Sequence, residues 1–177
     1  MSQSQVMKKQ HGKAFQNWQD EYKEKLCSAA DAAKLFNSGD VIAMQGGTGI
    51  PPAIADALGK RAAELRGITC LQGFALAFHE YMKPEHKDSF RVETVFIGPA
   101  ERFCMAMGTV DFVPNHLGNL GRWMDTKNIN VVIAVVTPPD ENGYMNRSCF
   151  GGLCTERAID NADVVLVEVN ENTPWLC

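Results

Sequence analysis

Short apolar runs constrain the fold of this chain more than any other feature of its sequence. Five of them are predicted strands, at 40–45, 68–72, 92–98, 130–137 and 163–169. Four are nearly continuous in apolar residues and rich in Val and Ile, which is typical of strands buried on both faces of a parallel sheet. Helical segments alternate with them. The sequence therefore predicts an α/β domain with an open, mostly parallel sheet and helices on both faces.

The helices are predicted from their start signals and from their composition. Ser28 and Asp31 have the spacing of a capping box, and Pro51 and Pro52 suit the first turn of a helix. Residues 1–11 are polar and are predicted to be disordered, which leaves 12–177 as the folded domain. The predicted helices are 29–36, 53–65, 100–107, 117–126 and 152–161.

Composition limits the classes of function that the chain can have. With 177 residues and 45% hydrophobic content, the chain can bury one ordinary core. Its formal net charge of −4 provides no basic face for nucleic acid. No stretch has the apolar core of a signal peptide or approaches the roughly eighteen apolar residues of a membrane span. We therefore predict a cytoplasmic protein with neither nucleic acid nor membrane as a partner.

Cysteine and histidine patterns favour structural roles. The six cysteines are scattered and lie mostly in apolar surroundings, which predicts reduced, buried thiols. Cys149 and Cys154 lack a second close pair or a histidine at zinc-ligand spacing, so no metal site is expected. Surface or capping roles are predicted for His79, His86 and His116, because no Ser or Cys nucleophile pattern accompanies them.

Glycines separate the first strand from its helix in the stretch DVIAMQGGTGIPPAIADAL, residues 40–58. Glycine allows a ligand to approach the backbone closely, and a helix start offers N–H groups to a carboxylate, a thioester oxygen or a phosphate. The candidate ligand contacts are Gln45, Gly46, Gly47 and Thr48. Because the spacing is neither G-x-G-x-x-G nor that of a P-loop, the common nucleotide motifs are excluded. A tight turn without a ligand is the alternative interpretation.

Three stretches, in order along the chain, resemble one protein family. The first is the glycine stretch, the second is VDFVPNHL at 110–117, and the third is VVIAVVTPPDENGYMNRSCFGGLCTERAIDNADVVLVEVNENTP at 131–174. Together they resemble the N-terminal domain of class I CoA-transferases of the acetyl-CoA hydrolase/transferase family, in the branch with 4-hydroxybutyrate and butyrate CoA-transferases. The resemblance covers roughly residues 23–174 and implies a Rossmann-type domain similar to NagB.

The resemblance also implies how a complete enzyme would work. A glutamate in a second, C-terminal domain would attack an acyl-CoA and become a glutamyl-CoA thioester. The complete enzyme would be a homo-oligomer that exchanges CoA between a short-chain acyl-CoA and a carboxylate, or hydrolyses the thioester, with no cofactor besides coenzyme A itself. This chain would then supply a wall of the acyl pocket and no catalytic residue. The ending Trp-Leu-Cys at 175–177 is interpreted as a cut through a longer protein.

Several assignments have alternatives. Asn146 is a further candidate substrate contact, with turn stabilisation as its other possible role. The segment Glu141-Asn142-Gly143 is similar to the nucleophile segment of two-subunit members of the class, but Asp140 replaces the serine, and an exposed turn is favoured.

A stand-alone remnant that binds an acyl group or CoA is the alternative function. A dehydrogenase domain is disfavoured, because the strand at 68–72 does not end in an acidic residue.

Overall fold

The fold is a single parallel sheet with helices on both faces, seen in a computed structural model that describes residues 17–149 and 155–176. The predicted disordered segment, 1–11, lies outside the described residues. The strands are Val41–Met44 (β1), Ile68–Gln72 (β2), Phe90–Thr94 (β3), Val110–Phe112 (β4), Val131–Val136 (β5) and Val164–Val169 (β6). They lie in the order β4-β3-β2-β1-β5-β6, and every neighbouring pair is parallel. The predicted α/β class is confirmed.

Two strands differ from the prediction. The third strand covers 90–94 and not 92–98, because the chain leaves the sheet after Thr94, whose hydroxyl lies within hydrogen-bonding distance of the carbonyls of Gly73 and Phe96. The strand β4 was not predicted. Its three residues are too few to show a periodicity, and its pairing with β3 is a tertiary contact that the local sequence does not encode.

The helices are Trp18–Lys25 (α1), Ala29–Ala33 (α2), Pro52–Lys60 (α3), Pro99–Ala106 (α4), Leu120–Asp125 (α5) and Glu156–Asn161 (α6). Three of the predicted helices, α2, α3 and α4, begin within one residue of their predicted starts; α5 begins three residues later than predicted, and α1 was not predicted. The Ser28 hydroxyl accepts the Asp31 N–H at 3.1 Å, which confirms the predicted N-cap of α2. Residues 150–154, which include the predicted start of the last helix, lie outside the described residues.

Helices cover the two faces of the sheet unequally. The larger core cluster joins one face, represented by Ile42 and Ile133, to α2, α3 and α4. A smaller cluster joins the opposite face, represented by Val132, to α5 and α6. All of β5 is buried, but Val165 and Val167 of β6 are exposed, so the expected burial of both faces is wrong for this edge strand. In the part of the chain that is described, no helix combines the length and apolar character needed to cross a membrane.

Candidate functional site

The strand order creates a crevice between the carboxyl ends of β1 and β5. From β1 the chain proceeds through β2 and β3 to β4 on one side, and then returns to place β5 and β6 on the other side. The loops after β1 and β5 lead to helices on opposite faces, α3 and α6. Ligands of open α/β sheets bind at such a switch point, because the diverging loops leave a gap there.

A cleft of ≈ 350 Å³ lies at this position. Its walls come from the glycine loop after β1, from β5 and the segment that follows it, and from the segment after β6. The lining residues are Thr48, Gly49, Val135, Arg147, Ser148, Cys149, Asn170, Asn172, Thr173 and Pro174. Most of these side chains can donate or accept hydrogen bonds, so the cleft suits a polar ligand.

The glycine loop is a single 3₁₀ turn at Gly47–Gly49. Gly47 has a φ of 55°, in the left-handed region that glycine adopts without strain, and its N–H donates to the Phe74 carbonyl at 2.7 Å. Of the four predicted contacts in this loop, Thr48 alone is exposed and lines the cleft, while Gly46 and Gly47 are buried behind it. The loop therefore presents a hydroxyl and a bare Gly49 backbone to the cleft.

Gln45 is buried directly behind this turn. Its side chain is fully inaccessible, and neither its Oε1 nor its Nε2 has a hydrogen-bond partner among the described residues. A Cβ built on Gly49 would lie 2.5 Å from Gln45 Oε1, so the glycine makes room for the amide. Buried amides are nearly always hydrogen-bonded, and the exceptions need an explanation such as a ligand or an ordered water.

The start of helix α3 does not offer the free anion site that the sequence suggested. The Glu168 carboxylate at the end of β6 accepts the N–H groups of Ala53 at 2.9 Å and Ile54 at 3.1 Å. For these two donors the expectation is wrong, because a side chain of the protein already occupies the position where an anion would bind. Through these hydrogen bonds, Glu168 also connects α3 to β6. The segment after β6 forms the wall of the cleft opposite the glycine loop.

Asn146 lies beside the cleft, and both polar atoms of its side-chain amide form hydrogen bonds within the protein. Its Oδ1 accepts the Ser148 N–H at 2.7 Å, and its Nδ2 donates to the Leu176 carbonyl at 2.7 Å. Its backbone exchanges hydrogen bonds with Thr137, at the end of β5. These contacts favour the turn-stabilising role, and a direct substrate contact by Asn146 stays a prediction. Ser148 has a φ of 52°, which is unusual for a residue with a side chain.

The other residues considered lie in turns and loops or in the core, except for Cys149, which lies in the wall of the cleft. Glu141 is exposed in a turn in which Asp140 accepts the N–H groups of Asn142 and Tyr144, as the local sequence predicted. Among the described cysteines, Cys70 and Cys104 are buried and unpaired, and burial raises the pKa of both thiols. The predicted burial is wrong for Cys27 and Cys149, which are exposed. Cys154 and Cys177 lie outside the described residues.

The sequence prediction missed part of the cleft wall. The segment from Asn170 to Pro174 follows β6, which neighbours β5, so the rule that the carboxyl ends of parallel strands share an edge already pointed to it. Arg147 gave no signal, because its position depends on how the segment after β5 folds back towards the sheet. For the segment after β6, the position on the sheet edge is therefore more informative than the residue type.

Comparison with known proteins gives a consistent result. The profile of the acetyl-CoA hydrolase/transferase N-terminal domain family matches residues 7–177. Succinyl-CoA:cyclohexane-1-carboxylate CoA transferase of Geobacter metallireducens is 32% identical over 162 residues, which are 91% of this chain and 37% of that protein. Butyryl-CoA:acetate CoA-transferase of Anaerostipes caccae is 31% identical over 89% of this chain and 36% of its own length. The chain thus spans little more than a third of these relatives.

Solved structures share the fold at lower sequence identity. RipA from Yersinia pestis superposes with a TM-score of 0.80 and 21% identity, over 91% of this chain and 40% of RipA. The 4-hydroxybutyrate CoA-transferase from Porphyromonas gingivalis has a TM-score of 0.69 and 20% identity, over 91% of this chain and 37% of that one. At these identities the structural likeness supports the fold, and the sequence matches carry the family assignment.

Proposed function

Because the chain belongs to the acetyl-CoA hydrolase/transferase family, as its N-terminal domain, we propose that it forms one wall of the acyl-CoA site of a CoA-transferase. The reaction would move CoA between a short-chain acyl-CoA (acetyl, butyryl or 4-hydroxybutyryl) and a carboxylate. The activities of the relatives, in which CoA passes between acyl groups, support this substrate class. The site is the cleft at the switch point between β1 and β5.

The observation that carries this proposal is the unpartnered, buried amide of Gln45 beside the cleft. Its Nε2 can donate to a thioester carbonyl or a carboxylate oxygen, and its Oε1 can accept from a donor on the substrate or from a bound water. Thr48 and Gly49 line the cleft, and the Gln45 amide lies directly behind Gly49, so a movement of this turn would bring the amide into contact with a ligand in the cleft. A substrate that reaches the amide removes the free-energy cost of leaving it unpaired.

The covalent steps would take place on a glutamate outside this chain. Its carboxylate would attack the thioester carbonyl, forming an acyl-glutamyl anhydride and releasing the CoA thiolate. The thiolate would then attack the glutamyl carbonyl of the anhydride, forming glutamyl-CoA and releasing the first carboxylate, and a second carboxylate would reverse both steps. No cofactor besides CoA is needed for this sequence of steps.

Two described glutamates near this edge of the sheet are committed to other contacts. Glu168 caps α3, and Glu101 is fully buried and accepts hydrogen bonds from the backbone of Ala75 and Gly98. These contacts argue against Glu168 and Glu101 as the nucleophile, which the proposal places in another part of the complete enzyme. The chain alone should therefore show no CoA exchange between acetyl-CoA or butyryl-CoA and acetate, and exchange by the chain alone that Glu141→Ala abolishes would contradict this assignment.

The binding role can be tested on the purified chain by calorimetric titration with acetyl-CoA and butyryl-CoA. Gln45→Met keeps the length of the side chain and removes both polar atoms. We expect it to weaken binding about tenfold, since a hydrogen bond contributes roughly 1–1.5 kcal/mol. Gln19→Met makes the same change at an exposed position on α1 and should bind as the wild type does. Wild-type protein that binds neither thioester, or a Gln45→Met variant that binds equally well, would refute the proposal.

A further inference from the structure

The segment after β5, which forms part of the cleft wall, has little attachment to the core. We call residues 138–149 the cleft loop, because its last three residues, Arg147, Ser148 and Cys149, line the cleft. The structure describes the whole of this loop, and none of its residues is buried. A segment without buried side chains gains little from apolar burial. Its position therefore depends on hydrogen bonds and on contacts at its outer side.

Hydrogen bonds give the cleft loop its internal shape. Asp140 closes a turn, since its N–H donates to the Tyr144 carbonyl at 2.8 Å and its Oδ1 accepts the Tyr144 N–H at 2.8 Å. Asn146 follows this turn, exchanges hydrogen bonds with Thr137 at the end of β5, and accepts the Ser148 N–H at 2.7 Å. The turn and the cleft-lining residues are therefore parts of one hydrogen-bonded segment, and a displacement of the turn moves the cleft wall.

Helix α1 contacts the outer side of this turn. The Trp18 Nε1 donates to the Glu141 carbonyl at 3.2 Å, across 123 positions of the sequence. The indole also lies against the backbone of Gly143, because a Cβ built there would be 2.7 Å from Trp18 Cγ and 2.9 Å from Trp18 Cβ. Gly143 has a φ of 86°, in the left-handed region. Both the turn and the indole therefore require glycine at this position.

The position of Trp18 differs from that of a core tryptophan. Helix α1 contributes no buried residue, and Trp18 itself is half-buried. Its indole packs on a loop that is also unburied, and the polar and the apolar contact described above fall on the same turn. The element that the indole holds is thus a wall of the cleft and not a part of the core.

We propose that Trp18 is a positioning residue for the substrate: the indole fixes the turn of the cleft loop, and through Asn146 the turn fixes the residues that line the cleft. A wall that is held in place before binding costs less entropy when the ligand enters than a mobile wall does. Trp18 does not line the cleft, so its loss lowers the affinity for the substrate and leaves the covalent steps unchanged. This inference rests on the proposed function and assigns α1 a role in the same site.

The test compares the steady-state kinetics of variants made in the complete natural protein, with acetyl-CoA and butyryl-CoA as donors. Trp18→Ala removes the ring and its N–H donor. We expect it to raise the KM for the thioester roughly three- to tenfold and to change kcat by less than about twofold. Trp18→Phe keeps a ring against Gly143 and should recover most of the affinity. Leu26→Ala, at a 62% exposed position that ends α1, is the control and should match wild type.

A double-mutant cycle separates the ring contact from strain in the turn. Gly143→Ala alone should raise the KM, because alanine at a φ of 86° is strained and because its methyl group meets the indole. In the Trp18→Ala background the strain remains and the contact is absent, so the same substitution should raise the KM by a smaller factor. Equal factors in the two backgrounds would overturn the assigned contact.

Hydrogen exchange followed by mass spectrometry reports on the cleft loop without any substrate. In Trp18→Ala, the amides of 142–148 should exchange roughly threefold faster than in wild type, or more. Unchanged exchange, or faster exchange with an unchanged KM, would overturn the positioning role. Trp18→Leu, which lacks both the N–H and the flat ring, replaces the alanine variant if that variant does not fold. Faster exchange in a complete protein whose wild type transfers CoA from neither thioester would overturn the proposed function and leave the contact between Trp18 and the cleft loop standing.

Discussion

Two buried glutamines lie at the carboxyl ends of neighbouring parallel strands, and they differ in whether their side-chain amides have hydrogen-bond partners among the described residues. Gln72 ends β2, is 1% exposed, and has both ends of its amide paired, with Glu101 and with Tyr81. Gln45 follows β1, is completely inaccessible, and has no partner for either end among the described residues. The residue type and the degree of burial are the same, so the difference lies in what the surrounding fold supplies.

This difference separates a structural amide from a functional one. A paired buried amide stabilises the fold and specifies which loops meet. An unpaired one costs the folded state roughly 1–3 kcal/mol, a cost that a bound ligand or an ordered water reverses. Gln72 therefore belongs to the hydrogen-bond network that joins the loop after β2 to the start of α4, and Gln45 belongs to the site. Substituting the same residue at both positions tests this assignment.

The largest effect is expected for Gln72→Met. The substitution leaves the buried Glu101 without its side-chain donor and the Tyr81 hydroxyl without its acceptor. We expect the free energy of unfolding to fall by about 2–4 kcal/mol, since each unsatisfied group costs roughly 1–3 kcal/mol. Urea unfolding followed by circular dichroism measures it, with Gln19→Met as the exposed control that should stay within about 0.5 kcal/mol of wild type. Equal stability of the two variants would show that the network contributes nothing.

A smaller loss is expected for Gly49→Ala, which acts on the other glutamine. The new methyl group would lie 2.5 Å from Gln45 Oε1 and 2.7 Å from its Cβ, so the side chain or the turn must move. Overpacking of this kind costs about 1–3 kcal/mol. Gly118→Ala is the control, because a Cβ there has no neighbour within 4 Å. If both alanine variants unfold at the same urea concentration, the amide of Gln45 does not lie against Gly49.

The elements that the sequence predicted well are those whose signals are local. The residues of β1, the glycines after it and the prolines at the start of α3 follow one another closely along the chain, and β5 is an unbroken run of six apolar residues. The parallel sheet and the position of the glycine loop followed from these patterns. The three-residue strand β4 has no such signal, since it is defined by its pairing with β3.

The contacts that distinguish the site are long-range, which is why sequence patterns did not reveal them. Glu168 caps α3 from a position 115 residues beyond Ala53, and it fills the helix start that the local pattern left open for an anion. The choice of Gln45 as a ligand contact came from its place in the glycine stretch, and its lack of partners appears only in three dimensions. A local motif locates a site, and packing decides which of its groups are available to a ligand.

Tyr81, which donates its hydroxyl hydrogen to Gln72, also packs against a histidine whose charge depends on pH. His79 stacks on Tyr81, and burial lowers the pKa of its imidazole from 6.5, with Asp56 and Glu101 partly opposing the shift. The unfolded chain therefore takes up the proton at a higher pH than the folded one, so the free energy of unfolding should fall as the pH drops below 6.5. Urea titrations between pH 7.5 and pH 5.5 measure the slope. His79→Phe should reduce it and His116→Phe, at an exposed position, should not; an unchanged slope in His79→Phe would contradict the assignment.

The smallest loss of stability is expected for Gln45→Met, although this side chain is at least as buried as Gln72. Methionine is close in volume and leaves no polar atom unpaired, so the free energy of unfolding should lie between no change and a gain of about 2 kcal/mol. A loss as large as that of Gln72→Met would mean that the amide has partners in the folded chain, and the argument for a ligand would fail. Saturating acetyl-CoA should stabilise wild type about 1.4 kcal/mol more than the Gln45→Met variant, because a ligand stabilises a protein only as far as it binds the folded state and the variant binds about tenfold more weakly. Wild type should gain stability from the thioester while the Gln45→Met variant gains less at the same concentration, which links the unpaired amide to the ligand without requiring the complete enzyme.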